Sequence, residues 1–461
     1  MMKKITYLLL ALFLHSAVSY SQTIYTLDNS ALTADVSAAN VYIQSANYPG
    51  PYNLSTNGSV TVTTASCSQI RFQVNAFNTE SGYDFLYVYL NDNTTPYLSN
   101  WRPAAGTVYT FPANKVKVSF SSDNIIALSG FQFLVSSVAA NLPGNFGNAL
   151  RFDWANDYVN GPNDVVPVTG DYTVSVWAKQ FTNHPGGFSE IFAQGRNLYL
   201  GPGADGKIRL GDSWGATGVN FPTDAAWHHY TVVRTSSNTF LYLDGTLVAT
   251  KGSAIPSPGV SGTDPHNLII GAQFNGGEVF DGAVDEFCVF NYAKTQDQIR
   301  SSMNSELAGT ETGVVAYYNF NQGTASGTNT AVTTLFDKSY SHFDGTLTNM
   351  ARTGATSNWI AGNSFAVASI TGTSTICGTG TTQMSNATLG GVWSFPSGNY
   401  ASATVSNTGL VTGVASGSST LSYTLTSGYG CSSAVTTPIT VTLNVAGEMA
   451  PLDEVPTNAK L

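Results

Sequence analysis

Short runs of alternating apolar and polar residues, each closed by Gly, Asn, Asp or Pro, recur along nearly the whole chain and allow little except antiparallel sheet. SVTVTT (59–64), QIRFQVNAF (69–77), DFLYVYL (84–90), KVKVSF (115–120) and FQFLVSS (131–137) alternate at period two with polar breaks between them, which turns successive side chains to opposite faces of a sheet. FLYLDGTLV (240–248) reads as a hairpin, because Asp244-Gly245 suits the two positive φ angles of a type I′ turn. One helix stands out: Thr295 with Gln298 three residues on is a capping-box spacing that leads into Ile299 and Met303. With 45 glycines and 12% aromatic residues, the composition suits short strands and tight turns. The expected fold class is all-β, with three β-sandwich domains in tandem.

Residues 1–21 place Lys3 and Lys4 before the apolar run Ile5 to Leu14 and the small residues Ala17, Ser19 and Ser21. That is the layout of a secretory signal peptide, so the expected location is extracellular or at the cell surface. No later segment approaches the ~20 apolar residues of a spanning helix, and no transmembrane anchor is expected. Eighteen basic residues against 28 acidic ones, with no cluster of Lys or Arg, argue against a nucleic-acid partner. The four cysteines, Cys67, Cys288, Cys377 and Cys431, allow at most two bridges in an oxidising compartment.

Small-residue stretches at 139–148 (AANLPGNFGN) and 361–369 (AGNSFAVAS) divide the chain into blocks 23–140, 145–360 and 370–446, and a polar tail runs over 447–461. In the first block, SANYPGPY (45–52), FNTESGYDFLYVY (77–89), FPANKVKVSFSSD (111–123) and SGFQFLV (129–135) resemble a CUB domain in order and spacing. The resemblance implies a calcium site at Glu80, Asp84 and Asp123, since calcium wants several hard oxygens at once; the alternative is ordinary loop polarity. The block lacks the second cysteine pair of animal CUB domains.

In the middle block, ALRFDWANDYVN (149–160), DYTVSVWAKQ (171–180), EIFAQG (190–195), AAWHHYTVVR (225–234), NLIIGAQ (267–273), FDGAVDEFCVFNYAKTQDQI (280–299) and VVAYYNF (314–320) resemble a LamG-like jelly roll of the concanavalin A-like class. Trp177 and Trp227 lie in apolar patterns and are assigned to packing. In the third block, SNTGLVTGVASGSSTLSYTL (406–425) resembles a bacterial immunoglobulin-like repeat. Cys377, Trp393 and Cys431 follow the order of an immunoglobulin pin, which implies a Cys377–Cys431 disulfide; two unrelated buried thiols are the alternative.

Some jelly rolls of this class are glycosidases, which need carboxylates at i, i+2 and i+4 on one face of a strand. In FDGAVDEF those positions are Asp281, Ala283 and Asp285, so the central one is missing, and period two sends Glu286 to the other face. No HExxH or CxxC pattern is present, and the adjacent His228 and His229 face opposite sides. No catalytic residue is assigned and the chain is expected not to be an enzyme.

The jelly-roll resemblance implies a second calcium site from Asp157 and Asp285, with Asp153 and Asp281 as further candidates, although an Asp beside a Gly also caps turns. The expectation is a non-catalytic adhesion or ligand-binding protein that recognises carbohydrate or extracellular protein through rim loops, with calcium as cofactor. Its ligand residues and oligomeric state are left open. An accessory binding region of a secreted enzyme and a structural spacer are the alternatives.

Overall fold

The computed structural model describes residues 23–259, 265–396 and 402–442; the expected signal peptide and the tail from 447 lie outside the described residues. The described residues divide into two compact units, the first built from 23–64, 70–111 and 115–137, the second from 65–69, 112–114 and those between 138 and 442.

The first unit is a sandwich of two sheets. A five-stranded sheet runs in the order Ile24–Leu27, Val41–Ser45, Gly130–Ala139, Ser68–Asn78, Val108–Phe111, and a four-stranded one in the order Ala31–Asp35, Asn57–Thr63, Lys115–Ser121, Phe85–Leu90. The period-two runs do what they predict: Val60, Val62, Leu86, Val88, Leu90, Val116, Val118 and Phe120 face Ile70, Phe72, Val74, Phe131, Phe133 and Val135, all buried. Aromatic contacts tie this core together, with Phe72 edge-on to Phe111 and Trp101 stacked on Phe133. Burying each such ring contributes about 1.5–3 kcal/mol.

In the second unit, residues 148–361 form a jelly roll. Its larger sheet runs Thr246–Lys251, Thr239–Leu243, His228–Arg234, Tyr172–Gln180, Asp281–Phe290, Asn148–Asp153, Trp359–Ala361, and Val314–Tyr318 also pairs with Asp281–Phe290. Seven shorter strands, from Ile208–Leu210 at one edge to Thr334–Leu335 at the other, make the facing sheet. Between them lies one core that includes Phe152, Tyr172, Val176, Phe192, Phe287 and Trp359. Asp244 and Gly245 both take positive φ, 49° and 68°, and the helix Gln296–Ser302 carries the full Thr295–Gln298 capping box. Trp177 is buried, and its indole nitrogen donates to the Met303 carbonyl over 2.7 Å.

Residues 370–442 add a four-stranded and a three-stranded sheet around a small core of Ile376, Met384, Phe395, Val411, Leu421, Ile439 and others. This block belongs to the same compact unit as the jelly roll. The Asn304 amide donates to the Leu389 carbonyl over 2.7 Å, and the Gly428 amide to the Glu306 carbonyl over 3.0 Å.

The disulfide differs from expectation. Cys431 is bonded to Cys67, at a Cα separation of 4.3 Å, while Cys377 is exposed and Cys288 buried as free thiols. Cys377 could not reach. Its strand, Thr375–Cys377, pairs with the far end of Ser432–Thr442, placing Cys377 opposite Thr442. Cys431 precedes the near end, about 35 Å back along the strand at ~3.3 Å per residue, far beyond the ~7 Å a bridge tolerates.

Candidate functional site

Glu80, Asp84 and Asp123 come together, with carboxylate oxygens within 4.8 Å of one another. Strand pairing dictates the meeting. Phe85 is opposite Ser121 in an antiparallel pair, so the residues just before Phe85 and just after Ser121 emerge at the same end of the sandwich. A turn closed by the Asp84 amide donating to the Glu80 carbonyl, 3.3 Å, brings in the third carboxylate.

Buried Asp84 is the hub. It accepts the Asp123 amide at 3.1 Å, the Glu80 amide at 3.2 Å, and the Tyr52 hydroxyl. Burial, then the hydrogen bond to Asp84, pushes the Tyr52 phenol up to about 12, so it stays a donor. Glu80 leaves a buried Oε2 with no partner. Burial, then the charges of Asp123 and Asp84, raises its carboxyl above the usual range. The nearby cation does not relieve this repulsion, because Arg102 donates to the Thr79, Glu80 and Asp84 carbonyls instead. Converging hard oxygens with no protein cation among them suit calcium.

The other four expected ligands do not bring three carboxylate oxygens to that spacing. Among the described residues, the CUB-type trio is the one group of three or more candidate ligands at this spacing. Asp153 caps its own turn by accepting the Ala155 amide at 3.0 Å. Asp157 is buried beside it, and burial lifts its carboxyl to about 6. Asp281 is opposite Asp153 in the sheet and holds the His184 ring at 2.8 Å.

Asp285 is buried elsewhere, and Glu286 does not take the opposite face that period two predicts. A bulge opposite Ser175–Trp177 inserts one extra residue into the strand, with Glu286 at φ 52°. Val284 and Phe287 both point into the inter-sheet core, so Asp285 and Glu286 share the outer face instead of alternating. Asp285 Oδ1 accepts the Glu286 amide at 2.9 Å, and Glu286 Oε2 accepts the Tyr317 hydroxyl at 2.6 Å. Neighbouring Glu306 accepts the amides of Asn141 and Asn321 at 2.9 and 2.6 Å. Burial, then the Glu306 charge, pushes Asp285 and Glu286 well above the carboxylate range. The central position of the would-be catalytic triplet is Ala283, fully buried.

A pocket of about 250 Å³ opens at one rim of the jelly roll. Three loops form it: Trp154 follows one strand, Gln180 and His184 end another, and Gly203 to Gly206 form a tight turn. No sequence pattern marks it, since its walls are scattered over 53 positions from Trp154 to Gly206.

Comparison with known proteins agrees with this architecture. Residues 33–134 match the CUB domain. Residues 153–300 match the family described as Concanavalin A-like lectin/glucanases superfamily. No curated protein matches the chain.

Among solved structures, the full extracellular region of zebrafish Gpr126/Adgrg6 is similar at 17% identity and TM-score 0.27, covering 64% of this chain and 40% of that one. The chain thus spans less than half of that region. A Bacteroides ovatus protein described as a candidate carbohydrate binder aligns at 14% identity and TM-score 0.36, covering 72% of this chain and 95% of that one. The CBM40 of Ruminococcus gnavus IT-sialidase aligns at 14% identity and TM-score 0.25, covering 33% and 96%.

Proposed function

We propose that the chain is an exported, non-catalytic binding protein that engages carbohydrate or an extracellular protein through rim loops, with calcium ordering the rim of the CUB-matching sandwich. The observation that carries this is the convergence of Glu80, Asp84 and Asp123 with an orphaned buried oxygen on Glu80. In this reading the three carboxylates hold the ion, and the ion fixes the loops that bear them. The absence of a central carboxylate at Ala283 favours binding over glycoside cleavage. The Cys67–Cys431 bridge favours an oxidising compartment, and the third block is read as an immunoglobulin-like spacer.

The test is thermal unfolding and a glycan and matrix-protein array, each with calcium and with chelator. At a hundredfold excess over Kd, calcium adds about 2.7 kcal/mol to the site's module, which raises its Tm by several degrees. The double variant Glu80→Gln, Asp123→Asn loses that shift and the calcium-dependent array signal. An unchanged Tm at ~10 mM calcium, well above the weakest extracellular sites, would remove the metal from the proposal. Silence on both arrays would remove the binding role.

A further inference from the structure

We infer that the rim pocket of the jelly roll is a binding site for one neutral sugar unit. This inference rests on the binding role proposed above and adds the place and the ligand class.

Three observations converge on the pocket. Gln180 lines it, is 6% exposed, and has an Oε1 that is buried without a hydrogen-bond partner. A buried acceptor left open is costly, and a sugar hydroxyl is the donor that fits it. Trp154 supplies an aromatic wall from a φ of 70°, a backbone region that bulky residues rarely enter. Its indole lies against the His184 ring, and that ring is held by Asp281 at 2.8 Å. Asp281 is thus a positioning residue here, which accounts for its carboxylate without a metal.

An apolar face beside a few converging polar groups is the makeup of a sugar-ring site, and 250 Å³ is room for one ring and not for several. Charge selects within the class. Among the described residues lining the pocket there is no Lys or Arg, while Asp205 is one of them. Nearby Arg209 is engaged by Glu190 and Glu278. Such a site repels carboxylated sugars and accepts neutral ones.

The test titrates the full chain, by saturation-transfer NMR and calorimetry, with methyl glycosides of glucose, galactose, mannose, xylose and arabinose, and with N-acetylneuraminate and glucuronate. At least one neutral glycoside binds, and the acidic sugars bind at least about tenfold more weakly. Gln180→Ala and Trp154→Ala each lower affinity about tenfold, Trp154→Phe recovers part of the loss, and all three keep the wild-type unfolding temperature.

Equal binding by wild type and variants would overturn the pocket while leaving the binding role intact. So would preference for the acidic sugars, or failure of every neutral glycoside in a protein that still binds a matrix protein on the array. Failure to bind any glycan or protein would sink both.

Discussion

Glu190 and His229 are both buried in the jelly roll, and exclusion of water holds each in its neutral form. Burial pushes the Glu190 carboxyl up to about 9 against the pull of Arg209. A single guanidinium serves two carboxylates there, with Glu278 Oε2 at 2.7 Å, so a proton on Glu190 leaves the trio neutral. Burial drives the His229 ring down to about 3.

The two shifts have opposite consequences for stability. The native state keeps the Glu190 proton that the unfolded chain releases above pH ~4.5, so stability falls as pH rises from there toward 9. The unfolded chain protonates His229 below pH ~6.5 while the native ring stays neutral down to about 3, so stability also falls with falling pH. Between about 4.5 and 6.5 the two slopes cancel.

Urea unfolding is therefore expected to show, for the wild type relative to Glu190→Gln, an extra loss of about 1.4 kcal/mol per pH unit from the Glu190 proton between pH ~6.5 and ~8.5. Glu190→Gln flattens that limb by one proton; an unchanged slope would show that Glu190 is ionised in the fold. Sequence gave partial access to these residues. Period two separated His228 from buried His229, but the partners of Glu190, Arg209 and Glu278, lie 19 and 88 positions away, beyond any local pattern.

At the scale of elements, local chemistry was legible wherever a structure is closed by neighbours in sequence. The capping box of the helix Gln296–Ser302 satisfies two orphan amides, and Thr295→Ala is expected to cost about 1 kcal/mol. Gly245, at φ 68°, also abuts the helix: a Cβ there would lie 2.9 Å from Met303 Sδ and 3.0 Å from Arg300 Cγ. Gly245→Ala should therefore cost more than the ~1 kcal/mol of a left-handed backbone alone. Chemical denaturation of the two variants checks both, and a Gly245→Ala cost below that of Thr295→Ala would contradict the packing argument. The bulge at Glu286 was illegible for the converse reason. Which strand carries an extra residue is decided by the partner strand, here Tyr172–Gln180, over a hundred positions earlier, and one inserted residue reverses every later side chain. The carboxylate trio of the first sandwich was legible because its strands keep their register.

Over the whole molecule, the block pattern located the sheets, but cysteine spacing within a block misidentified the bridge. Cys67 and Cys431 are separated by 364 residues, and no spacing rule links positions that far apart. The pairing is supported locally by backbone hydrogen bonds, the Cys67 amide donating to the Tyr429 carbonyl at 3.2 Å and the Ala140 amide to the Cys67 carbonyl at 3.1 Å. It predicts a definite chemical result. Alkylation of the unfolded, unreduced protein should modify two thiols, Cys288 and Cys377, and digestion should yield one cross-linked peptide pair containing Cys67 and Cys431. In the folded protein only Cys377 should react quickly, because Cys288 is buried and burial raises its thiol well above the usual range. Closing so long a loop restricts the unfolded chain, and Cys67→Ser is expected to cost about 2–4 kcal/mol. A Cys377–Cys431 peptide, or rapid labelling of Cys67 before reduction, would overturn the assignment and with it the support the bridge lends to an exported protein.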